Sequence, residues 1–113
     1  MEIEVENHPR GVTVAVLSGR FDTTGAVAIE LPFNTLATEK TAIVIDLSNV
    51  NFMSSYGIRV LLKGAKIAKG KNGNLVIFCP DNAVRKVLNT AGASDLIPVH
   101  PTRAAAIAAA AAG

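Results

Sequence analysis

The sequence predicts an α/β fold, a mostly parallel sheet of about four or five strands with an antiparallel strand at its N-terminal end and about four helices. Three observations carry this prediction. Short β-branched or apolar runs alternate along the chain with stretches of helical periodicity. Two of those runs, Ile43-Val44-Ile45 and Leu75-Val76-Ile77, are apolar without interruption, the pattern of strands covered on both faces. The chain has 113 residues, enough for one compact core and too few for two.

The N-terminal part reads as a pair of strands. Glu2 to Glu6 alternates acid and aliphatic at period two, and Asn7-His8-Pro9-Arg10-Gly11 supplies turn residues. Val12-Thr13-Val14-Ala15-Val16-Leu17 is β-branched and apolar, so the first two strands pair antiparallel across that turn. Thr23 or Thr24 is placed to cap a helix through Ala26, Val27, Ile29 and Leu36, which Pro32 should kink or shorten. Thr41 to Ile45 is a buried strand ending at Asp46. Ile58, Leu61, Leu62, Ala65 and Ala68 then recur at helical spacing, with Arg59, Lys63, Lys66 and Lys69 on the other side, the clearest amphipathic helix in the chain.

Lys71-Asn72-Gly73-Asn74 ends that helix in a turn, and Leu75 to Phe78 reads as the next buried strand. Val84, Val87 and Leu88 mark a further helix closed near Gly92. Leu96-Ile97-Pro98-Val99 contains proline, which restricts it to an edge strand or extended segment. Ala104 to Ala112 has the best helix former at nearly every position, with Ile107 as its main packing side chain.

Composition excludes several classes. Half the residues are hydrophobic and 18% are charged, a globular balance in which no tract is long enough for a membrane span. The acidic and aliphatic N-terminus is the opposite of a basic leader before an apolar stretch, so a cytoplasmic location is expected. The net charge is only +2, with four Phe, one Tyr and no Trp. Direct nucleic-acid binding therefore lacks both its electrostatic footprint and its stacking platform. The one cysteine, Cys79, ends an apolar run and reads as a small core residue. His8 and His100 have no partner at metal-ligand spacing, so neither a metal nor another cofactor is expected.

The informative stretch is Asp46 to Ile58, joining a buried strand to the amphipathic helix. Functional loops of open α/β sheets gather at the carboxyl ends of strands, where this one lies. A serine at the start of a helix has free amides and the positive end of the macrodipole beside it, so a phosphate there is tolerated. The competing reading of Ser54-Ser55 is an ordinary N-cap, which residues alone favour.

The run Asp46-Leu47-Ser48-x-Val50-x-Phe52-Met53-Ser54-Ser55-x-Gly57-Ile58-x-Val60-Leu61 changes that balance. It resembles, in order and spacing, the signature loop and helix of the STAS-domain anti-sigma factor antagonists. Leu17-Ser18-Gly19-Arg20-Phe21-Asp22 is similar to the family's strand-ending segment, and Asn89 to Ile97 to its last helix, turn and strand. The resemblance spans almost the whole chain and implies one STAS domain over residues 1–113. It also implies that the family's phosphorylated serine falls on Ser55, with Ser54 as second choice. Many members have an Asp immediately before that serine, where this chain has Ser54. Tyr56 is bulkier than the small residue often found after it, and is placed either to contact a partner or to limit access to Ser55.

The function implied by the resemblance is that of a switch and not an enzyme. The unphosphorylated protein would bind a serine kinase that doubles as an anti-sigma factor, phosphorylation of Ser55 would end that binding, and a serine phosphatase would reset it. The partner surface would include Asp22, Ser54, Ser55, Tyr56, Gly57 and Arg59. Asp22 has two even readings, orienting the serine or making local loop hydrogen bonds. For Asp46, at a predicted strand end, accepting turn amides is favoured. The positive stripe from Arg59 to Lys69 is most simply a solvated face, with Arg59 the one charge placed for contact. The alternative function is a STAS subunit that scaffolds a sensory or transport assembly without being switched. A small α/β enzyme using Ser54 or Ser55 with Asp22 or Asp46 lacks a base to activate its nucleophile.

Overall fold

The computed structural model describes residues 1–112. Strands β1 (Glu2–Asn7) and β2 (Val12–Ser18) are followed by helix α1 (Thr23–Glu39), β3 (Ala42–Asn49), α2 (Ser55–Gly70), β4 (Asn74–Phe78), α3 (Asn82–Thr90), β5 (Val99–His100) and α4 (Arg103–Ala112). The sheet has the order β1-β2-β3-β4-β5. β1 is antiparallel to β2, with Glu4 opposite Val16, and every other neighbouring pair is parallel. The predicted mixed α/β architecture is the one observed.

Alternation along the central strands divides their side chains between two cores. Leu17, Ile43, Ile45, Leu47, Leu75 and Ile77 face one side, where they meet buried residues of α1, α2 and α3. Val14, Val44 and Val76 face the other, under Ala106 and Ala110 of α4. Burial on both faces is why these strands read as unbroken apolar runs. Cys79 is fully buried in the first core, as expected of a small hydrophobe there.

Four local expectations are corrected. Asp22, not Thr23 or Thr24, caps α1: its Oδ1 accepts from Gly25 N at 2.8 Å, because its extended backbone leaves the carboxylate beside the first free amides. Pro32 does not shorten α1, which runs from Thr23 to Glu39 with Pro32 on its exposed side, so the carbonyl left without an amide partner is not forced into the core. The last strand is shorter than the Leu96-to-Val99 segment, covering only Val99–His100, since Leu96 and Ile97 still close a 3₁₀ turn onto Ala93 O. In α4 the packing residues are Ala106 and Ala110, with Ile107 only partly buried, because small side chains let the helix lie close against the valines.

β3 also runs three residues past Asp46, to Asn49. That extension brings its end level with the end of β2, where Ser18 pairs with Asn49 after a register shift. The two loops beyond these strand ends therefore start side by side.

Candidate functional site

The loops after β2 and β3 are joined by backbone hydrogen bonds. Gly19 N donates to Asn49 O (3.3 Å), Phe21 N to Phe52 O (3.2 Å) and Ser54 N to Phe21 O (2.8 Å), and Phe21 and Met53 form an isolated parallel bridge. Phe21 and Met53 are buried, so the loops share a hydrophobic floor. This ladder sets Asp22, the cap of α1, and Ser54, the cap of α2, at adjacent helix starts.

Gly57 is the sequence feature that allows this approach. A Cβ at position 57 would stand 2.7 Å from Phe21 Cδ1 and 3.1 Å from Met53 Sδ. Only a hydrogen there lets the first turn of α2 rest on the Phe21 ring.

The two serines differ in position. Ser54 has extended backbone (φ −89°, ψ 165°), and its Oγ accepts from Gly57 N at 3.0 Å. Ser55 is the first residue of α2 and is exposed. Tyr56 turns toward α1 and its hydroxyl donates to Glu30 Oε1 at 2.7 Å. That bond to a carboxylate holds the Tyr56 hydroxyl above the ordinary tyrosine range, with desolvation adding to it. Arg59 is exposed one turn further along α2 and lines a cleft between α1 and α2 with Tyr56 and Glu30.

Asp22 is half-buried, with Arg20 Nε 3.6 Å from its Oδ2. The Arg20 guanidinium lies 4.0 Å from the centre of the Phe52 ring, a cation–π contact on the outer surface of the paired loops. Asp22, Ser54, Ser55, Tyr56, Gly57 and Arg59 thus occupy one end of the molecule, around the starts of α1 and α2.

Asp46 does not join them. It is 4% exposed and lies on the α4 side of the sheet. Its Oδ1 accepts from Ser48 N at 2.8 Å, and its Oδ2 is 3.3 Å from Arg103 Nη2. The carboxylate does accept a nearby backbone amide, but one within β3 and not in a turn, because the strand runs on to Asn49. The ion pair to Arg103 was not visible in the sequence because the partners lie far apart along the chain.

Sequence reasoning also missed Glu30, the Arg20–Phe52 contact and the wall that α3 supplies beside Ser55. Arg20 and Phe52 both fall within the recognised motifs, yet their pairing depends on the two loops meeting in space. Among the described residues, no group of three His, Cys, Asp or Glu side chains is arranged to hold a metal ion. Among them also, no helix is long and apolar enough to cross a membrane.

A mixed sheet with one antiparallel edge strand, helices on both faces and a serine pair opening the helix after β3 defines a class of small α/β domains. The STAS-domain family profile matches residues 2–106, and the chain belongs to the STAS anti-sigma factor antagonist family. An anti-sigma F factor antagonist from Paenibacillus polymyxa is 29% identical over 102 residues, 88% of this chain and 86% of that protein. The crystal structure of an anti-sigma factor antagonist from Mycobacterium paratuberculosis superposes with a TM-score of 0.88 at 30% identity, covering 96% of this chain and 92% of that one. The anti-sigma factor antagonist SpoIIAA of Bacillus, in its unphosphorylated form, shares the fold with a TM-score of 0.76 at 23% identity, over 94% and 93% of the two chains.

Proposed function

We propose that this chain is an anti-sigma factor antagonist that works by partner switching, as a ligand and phosphorylation substrate and not as an enzyme. Unphosphorylated, it binds a cytoplasmic serine kinase that doubles as an anti-sigma factor. Phosphorylation of Ser55 ends that binding, and a serine phosphatase restores it. Neither nucleic acid nor membrane takes part directly, and no cofactor is required.

The observation that carries this reading is the difference between the serines. Ser54 Oγ is held by the cap to Gly57 N, whereas Ser55 is exposed at the first position of α2. A kinase meets the Ser55 hydroxyl without dismantling the cap. The resulting phosphate lies at the positive end of a 16-residue helix, so the fold tolerates it. It also adds about −1.5 to −2 charges to a surface that would be buried against the partner, which opposes binding. The family relationship and the SpoIIAA precedent, a neighbour known in phosphorylated and unphosphorylated forms, support the same assignment. Asp22, Tyr56, Gly57 and Arg59 are the surrounding contact surface in this reading.

The test is mass spectrometry of the protein from its native cells, mapping phosphate among Ser54, Ser55 and Tyr56 with and without phosphatase, together with calorimetric titration against the cognate kinase. Phosphate on Ser55 that varies with growth condition, and at least about a tenfold loss of affinity on phosphorylation, or about 1.4 kcal/mol, is expected. A loop left unmodified under every condition, with constant binding, would overturn the switch in favour of a constitutive scaffold.

A further inference from the structure

Beside Ser55, on the flank away from Tyr56, a groove of about 450 Å³ runs between the start of α2 and the outer face of α3. Met53 and Ile58 form one wall, and Ala83 and Val87 part of the other. The polar residues lining it are Ser55 on the α2 side and Lys86 and Thr90 on the α3 side. Lys86 is the one charged residue lining this groove among the described residues, and it makes no ion pair with any of them. No carboxylate lines the groove to neutralise it.

We propose that Lys86 is the intramolecular receiver of the Ser55 phosphate, so that the phosphorylated protein closes its own groove between α2 and α3. The inference rests on Ser55 being the modified residue and adds how the modified state is held.

The physical case is one of unbalanced charge. An exposed ammonium with no partner at the edge of the groove keeps its rotamer freedom until a dianion appears opposite. Ser55 and Lys86 are both exposed, so the contact is a surface pair whose strength comes from the dianionic charge of the phosphate and is screened by salt. Arg59 is the competing cation, one helical turn from Ser55 on α2. It lies on the other flank, in the cleft that also contains the Glu30 carboxylate and Tyr56, so part of its field is already answered. Pairing with Lys86 would draw the lysine stem over the groove, where Val87 on α3 is exposed in the unmodified protein.

The test uses the full chain with phosphoserine installed at position 55 during translation, so it needs no kinase. Phosphorus NMR follows the second ionisation of the phosphate, ordinarily near about 6, in the otherwise unaltered chain and in Lys86→Gln and Arg59→Gln backgrounds at low ionic strength. Lys86→Gln is expected to raise that ionisation by about half a unit, and Arg59→Gln by clearly less. A phosphate that titrates identically with and without Lys86, or one that responds only to Arg59→Gln, overturns the clamp. Affinity for the anti-sigma kinase, measured on the same samples, separates the two readings. A Lys86-dependent ionisation with undiminished binding keeps the clamp and removes the switch, and the reverse pattern removes the clamp alone.

Discussion

Ser54 and Ser55 carry the same side chain, one residue apart, on either side of a helix boundary. Ser54 has extended backbone and lends its oxygen to the Gly57 amide, while Ser55 is already helical and exposed. Their substitutions should therefore separate stability from signalling. Ser54→Ala removes the cap and is expected to cost about 1 kcal/mol in urea unfolding, whereas Ser55→Ala should stay within about 0.5 kcal/mol of the parent. Equal losses for the two variants would show that the cap is shared. The serine pair was legible in the sequence, but the division of labour was not, since either serine satisfies the cap preference and only the start of the helical dihedrals decides between them.

At the scale of elements, α1 and α2 meet where bulk is missing. A Cβ at Gly64 would stand 2.3 Å from Phe33 Cε2, so the absence of a side chain on α2 receives the ring from α1. Within α1, Pro32 interrupts the amide series without ending the helix, because the interruption falls on the face turned to water. Replacing it restores a donor and relieves the ring's crowding of the preceding turn. Pro32→Ala is expected to stabilise the fold by about 1–3 kcal/mol, read as a higher thermal midpoint by circular dichroism. A lowered midpoint would show that the proline serves the native helix. The periodic pattern of α2 was easily read, whereas that of α1 was blurred by exposed Val27 and Leu31 on its outer side.

The whole molecule is closed by α4, whose small residues cover the valine face and whose first residue reaches across it. Arg103 Nη2 lies 3.3 Å from Asp46 Oδ2 and 2.9 Å from Glu6 Oε1, and Glu6 in turn pairs with His8 Nε2 at 2.9 Å. Arg103→Met leaves the buried Asp46 carboxylate without its cation. A loss of about 1–3 kcal/mol at neutral pH is expected, discounted from the cost of a fully buried pair because Arg103 is 36% exposed. The hydrogen bond with His8 foremost, and the charge and hydrogen bond of Arg103, hold the Glu6 carboxyl below its ordinary value of 4.5. A lowered folded value means that this stabilisation is present above 4.5 and is lost as pH falls through the folded value. The acid limb of the stability curve should accordingly be shallower in Arg103→Met, as measured by urea midpoints across that range. An unchanged limb would place the acid sensitivity elsewhere.

The sequence by itself determined the alternation of strands and helices, the antiparallel start, the burial of Cys79 and the loop from Asp46 to Ile58. Each of these is written in local periodicity or in contiguous residue types, which act over a few positions. The separate placement of Asp46 under α4, the Tyr56–Glu30 bond and the groove shared by Ser55 and Lys86 were decided only by the tertiary structure. Those features join residues distant in the chain, and the hydrogen-bonded pairing of two loops, with no side chain at Gly57, sets which of them can meet.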